Sequence, residues 1–277
     1  MASVLITGAS KGIGRATALY LDKKGYKVFA GVRTLADGEA LCKEASPQLQ
    51  PVLLDVTDSR QIVQMAETIQ RTVGTSGLYG LVNNAGVAVP APLEYMPIDE
   101  FRRQIEVNLT GQLAVTQALL PAIRQAQGRI INISSVGGRI AAKMLGAYHA
   151  SKFALEALAD TLRQELAPWN IQVINIQPGG IATPIWETGS VTADRLLEAV
   201  PAEAQTAYGT IIAASRSWAK SAASHGLPPE RVATVIYDAL SAVKPRTRYT
   251  VGTDAWIGVH ILANLPDRLR DRLLSRR

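Results

Sequence analysis

The 277-residue sequence predicts an α/β fold: a doubly wound, mostly seven-stranded parallel sheet with helices on both faces. Three observations predict it. Short apolar runs alternate with amphipathic helical stretches almost from end to end; the runs are apolar throughout rather than alternating, as strands covered on both faces must be; and a glycine cluster follows the first run directly. In order, Ser3–Thr7 reads as a buried strand, and Gly12–Lys24, with helix formers from Arg15 to Tyr20, as the first helix. Strands follow at Lys27–Val32, Gln50–Asp55, Leu78–Asn83, Arg129–Ser134, Ile171–Gln177 and Arg248–Val251. Between them the 3.6-residue pattern predicts helices at Leu35–Ala45, Ser59–Val73, Ile98–Ala126, Tyr148–Ala167 and Pro229–Val243. Repeated β-α units imply right-handed crossovers.

Length and apolar content fit one domain over residues 1–277, since no linker, low-complexity tract or repeat divides the chain. The span from Pro184 to Pro228 breaks the rhythm with alanine-rich helical segments, and an insertion beside a strand's C-terminal end suits a substrate lid; an extra packing helix pair is the alternative. Cys42 is the only cysteine, which rules out an intramolecular disulfide and argues against a cysteine-based metal site. No metal is expected. The N-terminus shows neither a basic leader nor an apolar stretch of signal or spanning length, so the cytoplasm is the expected compartment. Basic residues behind the net charge of +6 are scattered except for Arg268, Arg270, Arg272, Arg276 and Arg277, so no nucleic-acid partner is expected.

Thr7-Gly8-Ala9-Ser10-Lys11-Gly12-Ile13-Gly14 joins the first strand to the first helix. Glycines there let the backbone approach a pyrophosphate, whose charge the helix N-terminus stabilises. A dinucleotide site for NAD usually ends its second strand with an acid for the adenosine ribose; here the chain reads Gly31-Val32-Arg33, with no carboxylate until Asp37. Arg33, with Lys11, instead suits a 2′-phosphate, which favours NADP(H) over NAD(H).

Tyr148 and Lys152 lie four residues apart at the start of a helical run, with Ser135 thirteen residues before the tyrosine. That spacing returns both side chains to one helix face. An ammonium at about 5 Å and an effective dielectric of about 20 favours the phenolate by roughly 3 kcal/mol, enough to turn a phenol into a base near neutral pH. A hydroxyl such as that of Ser135 could hold a substrate oxygen beside the phenol while a proton moves. His149, one residue on, points about 100° away around the helix and reads as structural or surface-facing.

Together these residues resemble the short-chain dehydrogenase/reductase family in its single-domain form, from Ser3 to about Thr183. Further matching residues are Asp55-Val56 after the third strand, Asn83-Asn84-Ala85-Gly86 after the fourth, Asn108 in Val107-Asn108-Leu109-Thr110-Gly111, and Pro178-Gly179 after the sixth. The resemblance implies that Tyr148 is the acid/base, that Lys152 lowers its pKa and holds the nicotinamide ribose, and that Ser135 orients the substrate carbonyl. It implies that Asn108 anchors a water relaying protons to Lys152. Asp55 and Val56 would contact the adenine, Asn83, Ala85 and Gly86 would line the coenzyme, and Pro178, Gly179, Ile181 and Thr183 would meet its nicotinamide end. Asn83 and Asn84 are equally suited to tying loop backbones together, and Asn108 to interrupting a helix.

The substrate pocket is expected among Val136 to Arg139, Met144 to Ala147 with Leu145, Gly179, Gly180 and the insertion, including Trp186, with Tyr208 or Trp218 as further candidates and Arg139 and Lys143 at the rim. A largely apolar ketone, aldehyde or alcohol follows. A weaker likeness, in Gly31-Val32-Arg33 and in the C-terminal stretch from Val251 to Arg268, points to the hydroxysteroid and retinol dehydrogenase branch, hence steroid-, retinoid- or lipid-like carbonyls. The tail from residue 254, with Leu265, Leu269 and Leu273 four apart among arginines, suits packing on the domain better than docking to an anionic membrane. A homodimer or homotetramer through the long helices is the family's usual assembly. A coenzyme-sensing protein without chemistry is the rival reading, and the Ser135/Tyr148/Lys152 set weighs against it.

Overall fold

Each apolar run becomes a strand of one parallel sheet in the computed structural model, which describes residues 1–198 and 200–275. In chain order the strands are β1 (Ser3–Ile6), β2 (Lys27–Val32), β3 (Leu49–Leu53), β4 (Gly80–Asn83), β5 (Arg129–Ile133), β6 (Gln172–Pro178) and β7 (Arg248–Val251). Their order in space is β3-β2-β1-β4-β5-β6-β7, so the direction of winding reverses between β1 and β4. A doubly wound sheet opens its ligand crevice there, beyond the strands' C-terminal ends.

The helices are α1 (Gly12–Lys23), α2 (Leu35–Cys42), α3 (Ser59–Val73), α4 (Ile98–Ile105), α5 (Gly111–Ala126), α6 (Gly146–Leu166), α7 (Ile185–Glu198), α8 (Ala202–His225), α9 (Pro229–Ser241), α10 (Thr253–His260) and α11 (Asp267–Ser275). Side chains alternate along each strand, so Val4 and Ile6 pack on one face with Leu21 of α1 and Ile236 of α9. Leu5 points to the other, against Ile69 of α3, Leu119 of α5 and Leu162 of α6. Both faces are covered, which explains the unbroken apolar runs.

Boundaries depart from the sequence reading where backbone turns toward the crevice. β1 stops at Ile6 because Gly8 takes a φ of 64°, and β3 stops at Leu53 as Asp55 folds back to accept from the Thr57 amide at 2.9 Å. The single helix expected over Ile98–Ala126 is interrupted by a π-helical segment, Glu106–Thr110. Asn108 at its centre bonds the Val87 backbone in both directions, accepting from its N–H at 2.8 Å and donating to its carbonyl at 2.9 Å. An extra residue in the turn is how the helix reaches that loop.

The inserted stretch forms α7 and α8, packed on each other through Trp186 and Trp218, whose ring centroids are 4.7 Å apart. In the C-terminal tail α10 buries Ala255, Gly258 and Val259, whereas Leu269 and Leu273 of α11 stay exposed. Arg276 and Arg277 lie outside the described residues. No described helix is long and apolar enough to cross a membrane.

Candidate active site

Two strand ends, those of β1 and β4, are tied together before any catalytic side chain is placed. The Thr7 hydroxyl at the end of β1 accepts from the Asn84 and Ala85 amides, both at 2.9 Å, and the Asn84 side chain donates back to the Thr7 and Gly8 carbonyls. Gly8 and Gly12 both have positive φ, and a Cβ on Gly8 would approach the Ala85 Cα to 3.0 Å. Helix α1 begins without a side-chain cap and without an acid in its first turn, so its amides and the positive end of its dipole face the crevice unopposed. That loop fits a pyrophosphate.

The crevice is a cavity of about 540 Å³. Of the expected coenzyme residues, Gly8, Ser10, Lys11, Gly12, Ile13, Arg33, Asp55, Val56, Ala85, Gly86, Pro178, Gly179, Ile181 and Thr183 line it, as do Tyr148 and Lys152. Asn83 and Gly14 do not. Asn83 is turned into the sheet, donating to Thr116 and to Asn132 at 3.0 Å each, so its neighbour Asn84 faces the crevice instead. Gly14 packs its backbone against Gly8, where a Cβ would overlap the Gly8 carbonyl oxygen. Asp37 accepts from the Thr34 hydroxyl at 2.8 Å and is absent from the lining, while Arg33 and Lys11 both face it as exposed cations.

Ser135, Tyr148 and Lys152 converge on one wall. The loop after β5 presents Ser135, whose hydroxyl accepts from the Gly137 amide at 2.9 Å and meets the Tyr148 phenol. Tyr148 and Lys152 share a face of α6, but the ammonium donates to the Ile133 carbonyl at 2.7 Å and lies 5.8 Å from the Tyr148 ring centroid. With its proton in place, the Tyr148 phenol is governed by burial and by Ser135 rather than by Lys152. Burial pushes the Tyr148 pKa up, and the opposing influence is the Ser135 hydrogen bond. Burial likewise pulls Lys152 from 10.5 down to about 8, against the attraction of Glu156.

Asn108 is wholly buried, and its amide donates at 3.0 Å to Ser151, the residue before Lys152, as well as to Val87. Its side chain bonds this neighbouring loop rather than its own helix. His149 is buried, not surface-facing: Nδ1 meets the Gly137 carbonyl at 2.9 Å and burial lowers its pKa, so the neutral ring props the turn after Ser135.

The substrate expectations divide. Trp186 lines the crevice, whereas Val136, Leu145, Gly180, Arg139, Lys143, Tyr208 and Trp218 do not. Val136 lies against Gly258 of α10, Gly180 is tied to the Asp254 carboxylate at 2.7 Å, and Tyr208 donates to Glu94 at 2.7 Å, latching α8 to the loop before α4. Met144 is buried under the insertion with Leu197 and Ile212. In their place the crevice wall includes Val87, Ala88 and Val89 after β4, Thr188 and Thr192 of α7, and the Glu100/Arg103 ion pair of α4. The run Val87-Ala88-Val89 was readable as an apolar extension of the Asn83–Gly86 loop; nothing in the sequence marks Glu100 or Arg103.

Residues 2–193 match the family model described as short chain dehydrogenase. The chain belongs to the short-chain dehydrogenase family. Among curated relatives of this short-chain dehydrogenase, retinol dehydrogenase 5 of Mus musculus is 40% identical over 282 residues, covering 99% of this chain and 88% of that protein. The 17-beta-hydroxysteroid dehydrogenase type 6 of Bos taurus is 37% identical, with 99% and 87% covered. The chain therefore falls in the retinol and hydroxysteroid dehydrogenase branch and is an oxidoreductase that uses a nicotinamide coenzyme. A solved short-chain dehydrogenase from Streptomyces avermitilis superposes with a TM-score of 0.79 at 28% identity, covering 99% of this chain and 97% of that one. Another, from Burkholderia cenocepacia in complex with NADP, gives 0.74 at 25% identity, covering 99% and 96%.

Proposed function

We propose that this short-chain dehydrogenase passes a hydride between NADP(H) and a largely apolar alcohol/carbonyl pair, steroid-, retinoid- or lipid-like, with Tyr148 as the acid/base. The observation that carries the reading is the meeting of Ser135, Tyr148 and Lys152 on the wall of a crevice that is also lined by Arg33 and Lys11, with Asp37, the first acid after β2, outside the lining and bonded to Thr34. When bound, the coenzyme supplies or accepts the hydride.

The chain's own residues do the rest. The α1 N-terminus and the Gly8 to Gly14 loop hold the pyrophosphate, and Arg33 with Lys11 pair with the 2′-phosphate. Asp55 and Val56 border the adenine, and Pro178, Gly179, Ile181 and Thr183 the nicotinamide end. Ser135 donates to the substrate oxygen and orients it against the Tyr148 hydroxyl, which gives up its proton as a carbonyl becomes an alcohol and takes one back in the reverse direction. Lys152 favours the phenolate at the moment the proton leaves, and Asn108 fixes the turn that carries Lys152 through Ser151. Val89, Trp186 and α7 bound an apolar space for the substrate, and α7 with α8 serve as its lid. Names of relatives such as retinol dehydrogenase 5 and 17-beta-hydroxysteroid dehydrogenase type 6 support a ring-bearing lipid alcohol as the substrate class. A homodimer or homotetramer through α5 and α6 is part of the same proposal.

Absorbance at 340 nm tests it, with NADPH or NADH against a panel containing retinal, steroid ketones and short aliphatic ketones. Turnover of the apolar carbonyls with NADPH preferred is the expected result. Tight NADPH binding without turnover of any compound would leave the sensor reading in its place, and faster turnover with NADH would overturn the assignment of Arg33.

A further inference from the structure

One turn beyond Lys152 on α6 stands a second buried charge that the mechanism above does not use. Glu156 is 5% exposed. Its Oε2 accepts from Asn175 of β6 at 2.9 Å and from Arg248 of β7 at 2.8 Å, and its Oε1 accepts from Gln177 of β6 at 3.0 Å. Arg248 also donates to Asp160 at 2.8 Å, and Asp160 pairs with Arg163. Behind Asn175 a ladder of buried amides runs across adjacent strands, Asn132 donating to Asn175 at 3.2 Å and Asn83 to Asn132 at 3.0 Å. Taking a carboxylate out of water costs several kcal/mol, and an apolar side chain would fill the space between α6 and the sheet without it. The satisfied hydrogen bonds explain how the charge is tolerated but not why it is there.

Lys152 lacks what Glu156 has. Its ammonium is buried on a single carbonyl, and among the described residues no carboxylate forms an ion pair with it. The groups facing it are the Ile133 carbonyl of β5, the Tyr148 phenol on its own helix and Gly86, with Asn108 beside it; none of these carries a negative charge with its proton in place. Glu156 is the carboxylate whose attraction opposes the loss of its proton. Around Glu156 itself the charged neighbours are Arg248 from β7, with Asp160 beyond it, and the loop after β5 contributes only Ser134 and Gly138.

We propose that Glu156 is a positioning residue for Lys152: buried one turn away on α6 and fastened to β6 and to Arg248, it holds a fixed carboxylate beside an ammonium that, among the described residues, has no ion-pair partner of its own. Arg248 lies beyond the span matched by the family model, so the C-terminal strand takes part in setting the charge of the active-site lysine. This rests on Lys152 having the role assigned above.

The experiment follows the Lys152 side chain by heteronuclear NMR in the coenzyme-free protein, with its signal assigned from Lys152→Arg. Spectra across pH 6 to about 10 are compared for wild type, Glu156→Gln, Glu156→Asp and Arg248→Gln, with the pH profile of turnover beside them. At one helical turn and an effective dielectric of about 20, partly offset by Arg248, Glu156→Gln moves the lysine titration and the alkaline limb of turnover down by about one pH unit, a loss of about five-fold in turnover at about pH 8. Arg248→Gln, which breaks the same ion pair, moves both the other way, and Glu156→Asp stays near wild type. A role in folding alone would lower the melting temperature of both variants and shift their titrations in one direction or in neither, and that result overturns the proposal. If Glu156→Gln does not fold, the direction of the Arg248→Gln shift decides. Full turnover by Lys152→Met would instead remove the role of Lys152 while leaving the titration result intact.

Discussion

Replacing Lys152 by methionine should abolish turnover and make the protein more stable. The ammonium is buried, and burial brings its pKa from 10.5 to about 8. At roughly 1.4 kcal/mol per pH unit, keeping that charge inside the folded protein at neutral pH costs about 3 kcal/mol. Methionine is similar in volume and apolar, so it removes this cost, and it forfeits the bond to the Ile133 carbonyl, worth about 1 kcal/mol. The net expectation is a gain of about 2 kcal/mol at pH 7. Its pH dependence identifies the cause. Between about pH 8 and pH 10.5 the unfolded chain holds the lysine proton more tightly than the folded one, so wild-type stability rises with pH through this window and the variant's does not. The advantage of Lys152→Met should thus be constant below about pH 8, fall through zero within this window, and be reversed by about 1 kcal/mol at pH 10.5, where only the lost bond to Ile133 remains. Urea unfolding of both proteins at neutral and alkaline pH measures it. A variant less stable than wild type at pH 7, or an advantage unchanged at high pH, would refute the reasoning that the lysine is kept at the expense of stability.

Tyr148→Phe keeps the buried ring and removes the proton, so turnover should fall by about 10²-fold or more while NADPH affinity, read by fluorescence titration, changes little. Arg33→Asp should weaken NADPH and strengthen NADH; an unaltered ratio of the two dissociation constants would show that Arg33 does not read the 2′-phosphate. A Cβ on Gly14 would overlap the Gly8 carbonyl, so Gly14→Ala should force the loop open, lowering coenzyme affinity and costing about 1–3 kcal/mol of stability by denaturant melt. Gly189 of α7 packs against the Ala88 carbonyl, and Gly189→Ala should lift the lid, raising KM for the carbonyl more than the dissociation constant of NADPH.

Much of the site was legible because its signals are local. A glycine loop between a strand and a helix, an arginine where an acid is usual, and a tyrosine and lysine one turn apart each state their geometry through backbone periodicity. The Asn83/Asn84 pair shows where locality ends. Successive residues leaving a strand point to opposite faces, and only the register of β4 with β5 turns Asn83 toward Asn132 and leaves Asn84 for the crevice. The substrate wall failed for a related reason: Val136 and Leu145 are close to the catalytic residues in sequence, but α10 and the insertion, packing from far along the chain, decide which side chains face the cavity.

By itself the sequence determined the sheet and the phosphate loop, since these depend on periodicity and glycine geometry, and it nominated the candidate proton donor through helix spacing together with the resemblance to a known family. Only the tertiary structure decided how the charges are held. Burial raises the Tyr148 pKa and lowers that of Lys152, the Ile133 carbonyl holds the ammonium 5.8 Å from the Tyr148 ring centroid, and Glu156 gains its partners from β6 and β7. Desolvation and the choice of ion-pair partner depend on everything packed around a group, and no spacing along a single helix encodes them.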